Sequence, residues 1–173
     1  MEMFDIYTEN REKTGRTIER GNKFDKGDYR VVVHACILNS KGEMLIQQRQ
    51  PFKSGWANMW DITAGGSVVA GETSKQAVQR ELMEELGIDI DFSDIRPQLT
   101  INFEEGFDDI YIIQSDDIDI NTLTLQYEEV QCVKWVSMRE IEEMLHNGIF
   151  IPYYEDLIHL LFSMKNRYGG IEK

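Results

Sequence analysis

Three glutamates, Glu81, Glu84 and Glu85, fall within five residues of the segment QRELMEELGI. Like charges at short helical spacing repel one another, so the arrangement is unfavourable unless something positive sits among them. On a helical wheel of about 100° per residue, Val78, Leu82 and Leu86 form an apolar stripe. The glutamates occupy an arc of roughly 100° beside it. The carboxylates therefore stand where a helix leaves the core and meets a cleft or solvent. Oxygen ligands on one face, completed by loop carbonyls and water, suit a hard cation such as Mg²⁺ or Mn²⁺. The same residues can also form a solvated acidic face, and spacing alone does not separate the two.

The flanking residues define the helix. Thr73 and Gln76 have capping-box spacing and Gly87 is a stop, which predicts a helix over Thr73 to Leu86. Ahead of it, Gly65 to Gly71 holds three glycines and ends at Glu72. RVVVHACIL (30–38) and EMLIQQR (43–49) read as strands joined by an NSKG turn. QPFKSGWANMW follows as a loop leading into DITAGG. LTINF, FDDIYIIQ and VQCVKWV read as further strands, and 137–147 and 154–166 as helices. Residues 1–29 read as an arm of turns with room for a hairpin, 30–166 as the core and 167–173 as a tail. The expectation is one domain, a mixed sheet sandwiched by helices.

Composition narrows the partners. The chain has 173 residues, 42% of them hydrophobic, and a net charge of −13 from 31 acids and 18 bases. Such a surface repels nucleic-acid backbone and anionic lipid, so neither a nucleic acid nor a membrane is expected as partner. A small anionic substrate remains compatible, provided that a cation or a local basic cluster meets it. No apolar run approaches the roughly 20 residues that span a bilayer. The acidic start, MEMFDIYTENREK, is unlike a secretory signal. Cys36 and Cys132 form no CxxC pair, which fits a reduced, cytoplasmic setting. Both cysteines are read as packing residues, and His34, His146 and His159, scattered along the chain, as structural.

The segment from Gly66 to Ile88 resembles the signature of the Nudix hydrolases: Gly, five residues, Glu, seven residues, Arg-Glu, an aliphatic, any residue, Glu-Glu, any residue, Gly and an aliphatic. Gly66, Glu72, Arg80, Glu81, Leu82, Glu84, Glu85, Gly87 and Ile88 fill it without departure. At background frequencies, chance matching is on the order of one in 10⁸ per start position. The resemblance implies an α/β/α sandwich with a mixed sheet and a loop-helix-loop metal site. It implies that Glu81, Glu84, Glu85 and the Gly66 carbonyl bind Mg²⁺ or Mn²⁺, and that Glu72 and Arg80 pair. The implied activity is hydrolysis of a diphosphate linkage in a small metabolite, a nucleoside diphosphate or one linked to another group. Dimers are common in that superfamily, so a homodimer is compatible.

In this superfamily the general base is a motif glutamate or an acid from a downstream loop. Glu104, Glu105, Glu128 and Glu129 are the positional candidates, with Glu129 favoured. Arg49 and Lys53 could hold the distal phosphate, and Trp56 or Trp60 could stack a base. Residues 5 to 90 further resemble the isopentenyl-diphosphate isomerases and their hydrolase-like relatives, through VVVHACILNSKGEMLIQQR, Lys53, Trp56 and MWDITAGG. The isomerase uses a cysteine acid and histidine metal ligands. This chain has Gly65, Gly66 and Ser67 in place of the Cys-Gly-His pattern, and Arg30 in place of the histidine opening the first core strand. A glycine cannot transfer a proton, so hydrolase is the expectation. An isomerase-like enzyme and a catalytically silent nucleotide-binding module are the alternatives.

Overall fold

The protein is described by a computed structural model over residues 1–171. The β-branched run RVVVHACIL forms β3 (Arg30–Leu38), and EMLIQQR returns as β4 (Glu43–Arg49). Beside β3, in parallel, runs β8 (Gly106–Gln114), which turns back antiparallel into β7 (Leu99–Phe103). The mixed sheet has the order β5-β4-β3-β8-β7, with β5 (Trp60–Asp61) at one edge. Alternation along β3 sends Val31, Val33 and Ile37 to one face and Cys36 and Leu38 to the other. The first face packs under α1 (Ser74–Leu86), through Val78, Leu82 and Leu86. The second packs under α2 (Met138–His146) and α3 (Glu155–Ser163), through Ile141, Ile158 and Leu161. These layers match the expected α/β/α architecture.

The sheet divides where the site lies. β3 meets β4 only at Leu38 and Met44. Below that point β6 (Ala64–Ser67) takes the edge of β3, from Val32–Ser67 to Ala35–Ala64. β9 (Val130–Ser137) takes the edge of β4 instead. Neither β5 nor β6 is legible in DITAGG, because glycine lowers strand propensity. The pairing rests on close backbone approach. A Cβ on Gly65 would lie 2.3 Å from His34 Cδ2 and 3.0 Å from the Val33 carbonyl oxygen.

Both expected capping boxes are present, at Thr73 with Gln76 and at Ser137 with Glu140. The last helix is shorter than its apolar stripe predicts: α3 ends at Ser163, and Asn166 has φ of 57°. Within residues 1–29 a hairpin forms from β1 (Met3–Tyr7) and β2 (Lys13–Glu19). It is docked, with Phe4, Ile6 and Tyr7 buried. The Ala70 amide donates to the Met3 carbonyl over 2.7 Å, and the Gly71 amide to Asp5 Oδ2 over 2.9 Å. The arm thus braces the glycine loop ahead of α1.

Candidate active site

The apolar stripe of α1 faces the sheet, so Glu81 and Glu85, four residues apart, point along β6 into the division of the sheet. Glu85 is 4% exposed, and Gln47 Nε2 on β4 donates to its Oε2 over 2.9 Å. Glu81 lies directly on the β6 backbone, since a Cβ on Gly66 would come 2.1 Å from Glu81 Oε1. Glu84 stands farther out, with half of its side chain in solvent. The three glutamates are therefore graded from core to solvent rather than spread over a wet face.

Arg80 ties the motif together. Its Nε and Nη2 donate to the two Glu72 oxygens over 2.8 and 3.1 Å, and Nη2 also reaches the Ser67 carbonyl over 3.1 Å. Nη1 bonds Glu81 over 2.8 Å and Glu84 over 3.1 Å, beyond the Glu72 partner that the resemblance implies. These bonds, Glu72 first, raise the Arg80 pKa further above its ordinary value. Burial raises the Glu81 pKa even against Arg80. Burial, with the charge of Glu81 second, pushes Glu85 up to about 8.

A buried carboxylate without a cation partner beside a second one is an oxygen-only donor set short of positive charge. That chemistry fits a hard divalent cation at Glu81, Glu84, Glu85 and the Gly66 carbonyl. With Arg80 holding two of these glutamates, their oxygens are not drawn into one tight cluster. Among the described residues, the triad whose ligand atoms all lie within 4.8 Å is instead Glu142, Glu155 and His159, at the surface where α2 meets α3.

The glutamates open into a cleft of about 320 Å³. Arg49 and Lys53 line it, as does Glu129; Glu104, Glu105 and Glu128 are not among its lining residues. Lys53 Nζ and Glu129 Oε1 are 2.6 Å apart, so a candidate phosphate holder and the candidate base form one ion pair. Sequence reasoning missed Gln47 and Gln126, and also Glu2 and Arg20, which the docked hairpin brings to the cleft rim. No spacing pattern marks any of these four. They arrive through pairings distant in sequence.

A second cavity, of about 450 Å³, shares Arg49, Gly65 and Gly66 with the cleft. Trp56 stands at it and is 55% exposed. Trp60 is instead a sheet residue packed under Lys134, whose Nζ sits 4.5 Å from the ring centre. His34 also lines this cavity, its Nδ1 lying 2.8 and 3.0 Å from the Asp108 oxygens, whereas His146 and His159 pair with Glu155 and Glu142 away from it. Two acids in the otherwise apolar FDDIYIIQ were the available signal, since buried carboxylates need partners. Asp109 has Arg11 and Thr100 as partners, and Asp108 has His34. Cys36 is buried in the core as a packing residue, whereas Cys132 is half-buried on β9 with its thiol donating to Gln48 Oε1 over 3.4 Å.

Comparison with known proteins places the fold. The NUDIX domain family profile matches residues 28–156. An uncharacterised Nudix hydrolase of Listeria monocytogenes is 48% identical over 166 residues, covering 96% of each chain. The crystal structure of DR0079 from Deinococcus radiodurans superposes with a TM-score of 0.74 at 27% identity, covering 94% of this chain and 98% of that one. The isopentenyl-diphosphate Δ-isomerase of Corynebacterium diphtheriae is more distant, 25% identical over 122 residues, 66% of this chain and 67% of the isomerase.

Proposed function

The chain belongs to the Nudix hydrolases, a pyrophosphohydrolase family, and on that premise we propose that it hydrolyses the phosphoanhydride bond of a nucleoside diphosphate, free or linked to another group. The observation that supports this reading most directly is the surface formed by Gly66, Glu81 and buried Glu85, the last of which has no cation partner among the described residues. Glu81, Glu84, Glu85 and the Gly66 carbonyl would hold Mg²⁺ or Mn²⁺, which would supply neutralising charge to phosphate oxygens and lower the pKa of a water.

The chain's own residues do the rest. Glu72 and Arg80 lock the glycine loop to α1 and so fix Gly66 against Glu81. Glu129 takes the proton of the attacking water, whose oxygen bonds to one phosphorus. The anhydride bond from that phosphorus breaks, and the bridging oxygen leaves with the other phosphate. Lys53 and Arg49, which line the same cleft, orient the distal phosphate.

The isomerase alternative finds no cysteine acid here. Gly65 stands where its cysteine would, and Cys36 is fully buried with a thiol that burial holds far above its usual pKa. A silent binding module remains the second reading. A product screen over nucleoside diphosphates, nucleotide sugars, dinucleotides and coenzymes with Mg²⁺ and Mn²⁺ tests the proposal. Release of nucleoside monophosphate is expected. A flat result across the panel, with Mn²⁺ binding measured on the same protein, would overturn hydrolysis in favour of the binding module.

A further inference from the structure

The second cavity carries the further inference, which rests on the hydrolase reading and narrows its substrate. Its mouth is continuous with the carboxylate cleft across Gly65 and Gly66. A diphosphate lying over the glutamates therefore extends its remaining group into this cavity. At about 450 Å³ the space is within the roughly 300–1,000 Å³ typical of small-molecule pockets.

Val32, Ile101, Phe103 and Ile151 supply its apolar lining, together with the 55% exposed Trp56. The floor is polar and unevenly satisfied. Asp108 is bonded to His34 through both oxygens. Asp61 is 8% exposed, and only its Oδ1 is engaged, by the Tyr153 hydroxyl and the Ile62 amide, both over 2.8 Å. Among the described residues no ion pair reaches Asp61. Arg30, which also lines the cavity, has its guanidinium 5.8 Å from the ring centres of both Phe24 and Phe103; its Nη1 reaches Ser67 Oγ only at 3.5 Å, and its Nε is buried without a partner. The cavity thus offers a buried carboxylate acceptor and a half-buried guanidinium donor among apolar side chains.

We infer that this cavity selects a flat heteroaromatic ring bearing an exocyclic amino group, as in cytosine or adenine, with Asp61 accepting from the amino group and Arg30 donating to a ring or carbonyl acceptor. A ring with a carbonyl at the same position turns an oxygen toward the Asp61 carboxylate, and both lose their partners. A sugar or prenyl group is a poorer match. The first lacks a flat face for the apolar walls, and the second leaves Asp61 and Arg30 unpaired.

The test compares pairs that differ at this one position. Calorimetry on the full chain with CMP against UMP, and AMP against IMP, reads recognition without the reaction. Hydrolysis of the corresponding diphosphates with Mg²⁺ reads it in kcat/KM. The amino member of each pair is expected to bind about 10- to 100-fold more tightly, and Asp61→Asn to bring the ratio near one. Equal binding of both members by the wild-type chain overturns the inference, whether or not Asp61→Asn folds. No hydrolysis of any diphosphate, with the amino preference intact, would sink the hydrolase reading and leave the cavity's selectivity standing.

Discussion

Gln47 Nε2 donates to Glu85 Oε2 over 2.9 Å, and among the described residues it is the only donor to that buried carboxylate. One neutral hydrogen bond does not compensate the ionised form, which is why burial pushes the Glu85 pKa up to about 8. Glu85 is therefore placed at a cost to the fold, as expected of a residue that acts on something bound. Glu85→Gln keeps the shape and removes the charge. Turnover is expected to fall by at least about 10²-fold, while the melting temperature of the metal-free protein stays level or rises. Unchanged turnover would remove Glu85 from the mechanism.

The contact between Gly66 and Glu81 predicts a separable loss of metal. In Gly66→Ala the new methyl would sit 2.1 Å from Glu81 Oε1. The carboxylate is the end of a flexible side chain and can swing away, so the fold is expected to persist. Mn²⁺ affinity, read by calorimetry, should drop by about tenfold or more. Full affinity in the alanine variant would mean that Glu81 and the Gly66 backbone do not act together.

The pair of Lys53 and Glu129 makes two distinct kinetic forecasts. Lys53→Ala should raise KM with a smaller change in kcat, because a phosphate contact is lost. Glu129→Gln should lower kcat by about 10²- to 10⁴-fold with KM little moved. Identical effects of the two variants on both constants would indicate that Glu129 only anchors Lys53.

His34 gives a dependence on pH. Burial pulls its pKa down, but the bond and charge of Asp108, with smaller contributions from Asp61 and Glu85, outweigh this and leave it above 6.5. A histidine raised in the folded state contributes stability that is complete below its unfolded pKa and lost as pH rises through its folded pKa. Denaturant midpoints of the wild type should therefore decline, through this group, from about pH 6.5 upward. That part of the decline should vanish in His34→Asn. Parallel pH profiles for both proteins would show that the pair does not stabilise the fold.

The hairpin predicts a stability effect at a distance from the sheet. Phe4 is 3% exposed beneath Arg20, whose guanidinium lies 6.0 Å from its ring centre. Phe4→Ala is expected to cost about 3–5 kcal/mol and to loosen the loop braced at Ala70 and Gly71, lowering Mn²⁺ affinity along with the melting temperature. Loss of stability with metal affinity intact would separate the hairpin from the site.

The strands β3, β4 and β7 to β9, the three helices in their order, the capping boxes at Thr73 and Ser137 and the glutamate face of α1 were readable in the sequence. They depend on spacing along one short stretch, where helical and strand periods place side chains regardless of the rest of the chain. The signature from Gly66 to Ile88 was legible for the same reason. The tertiary structure alone decided where the sheet divides, that residues 3–19 form a docked hairpin bringing Glu2 and Arg20 to the cleft, and that Asp108 meets His34. It also set Gln47 against Glu85 and Asp61 beneath the second cavity. Those juxtapositions depend on strand register and on close approach between backbones far apart in sequence. Local periodicity carries the charge of a residue and the face it occupies, whereas its partner is chosen only when distant strands pair.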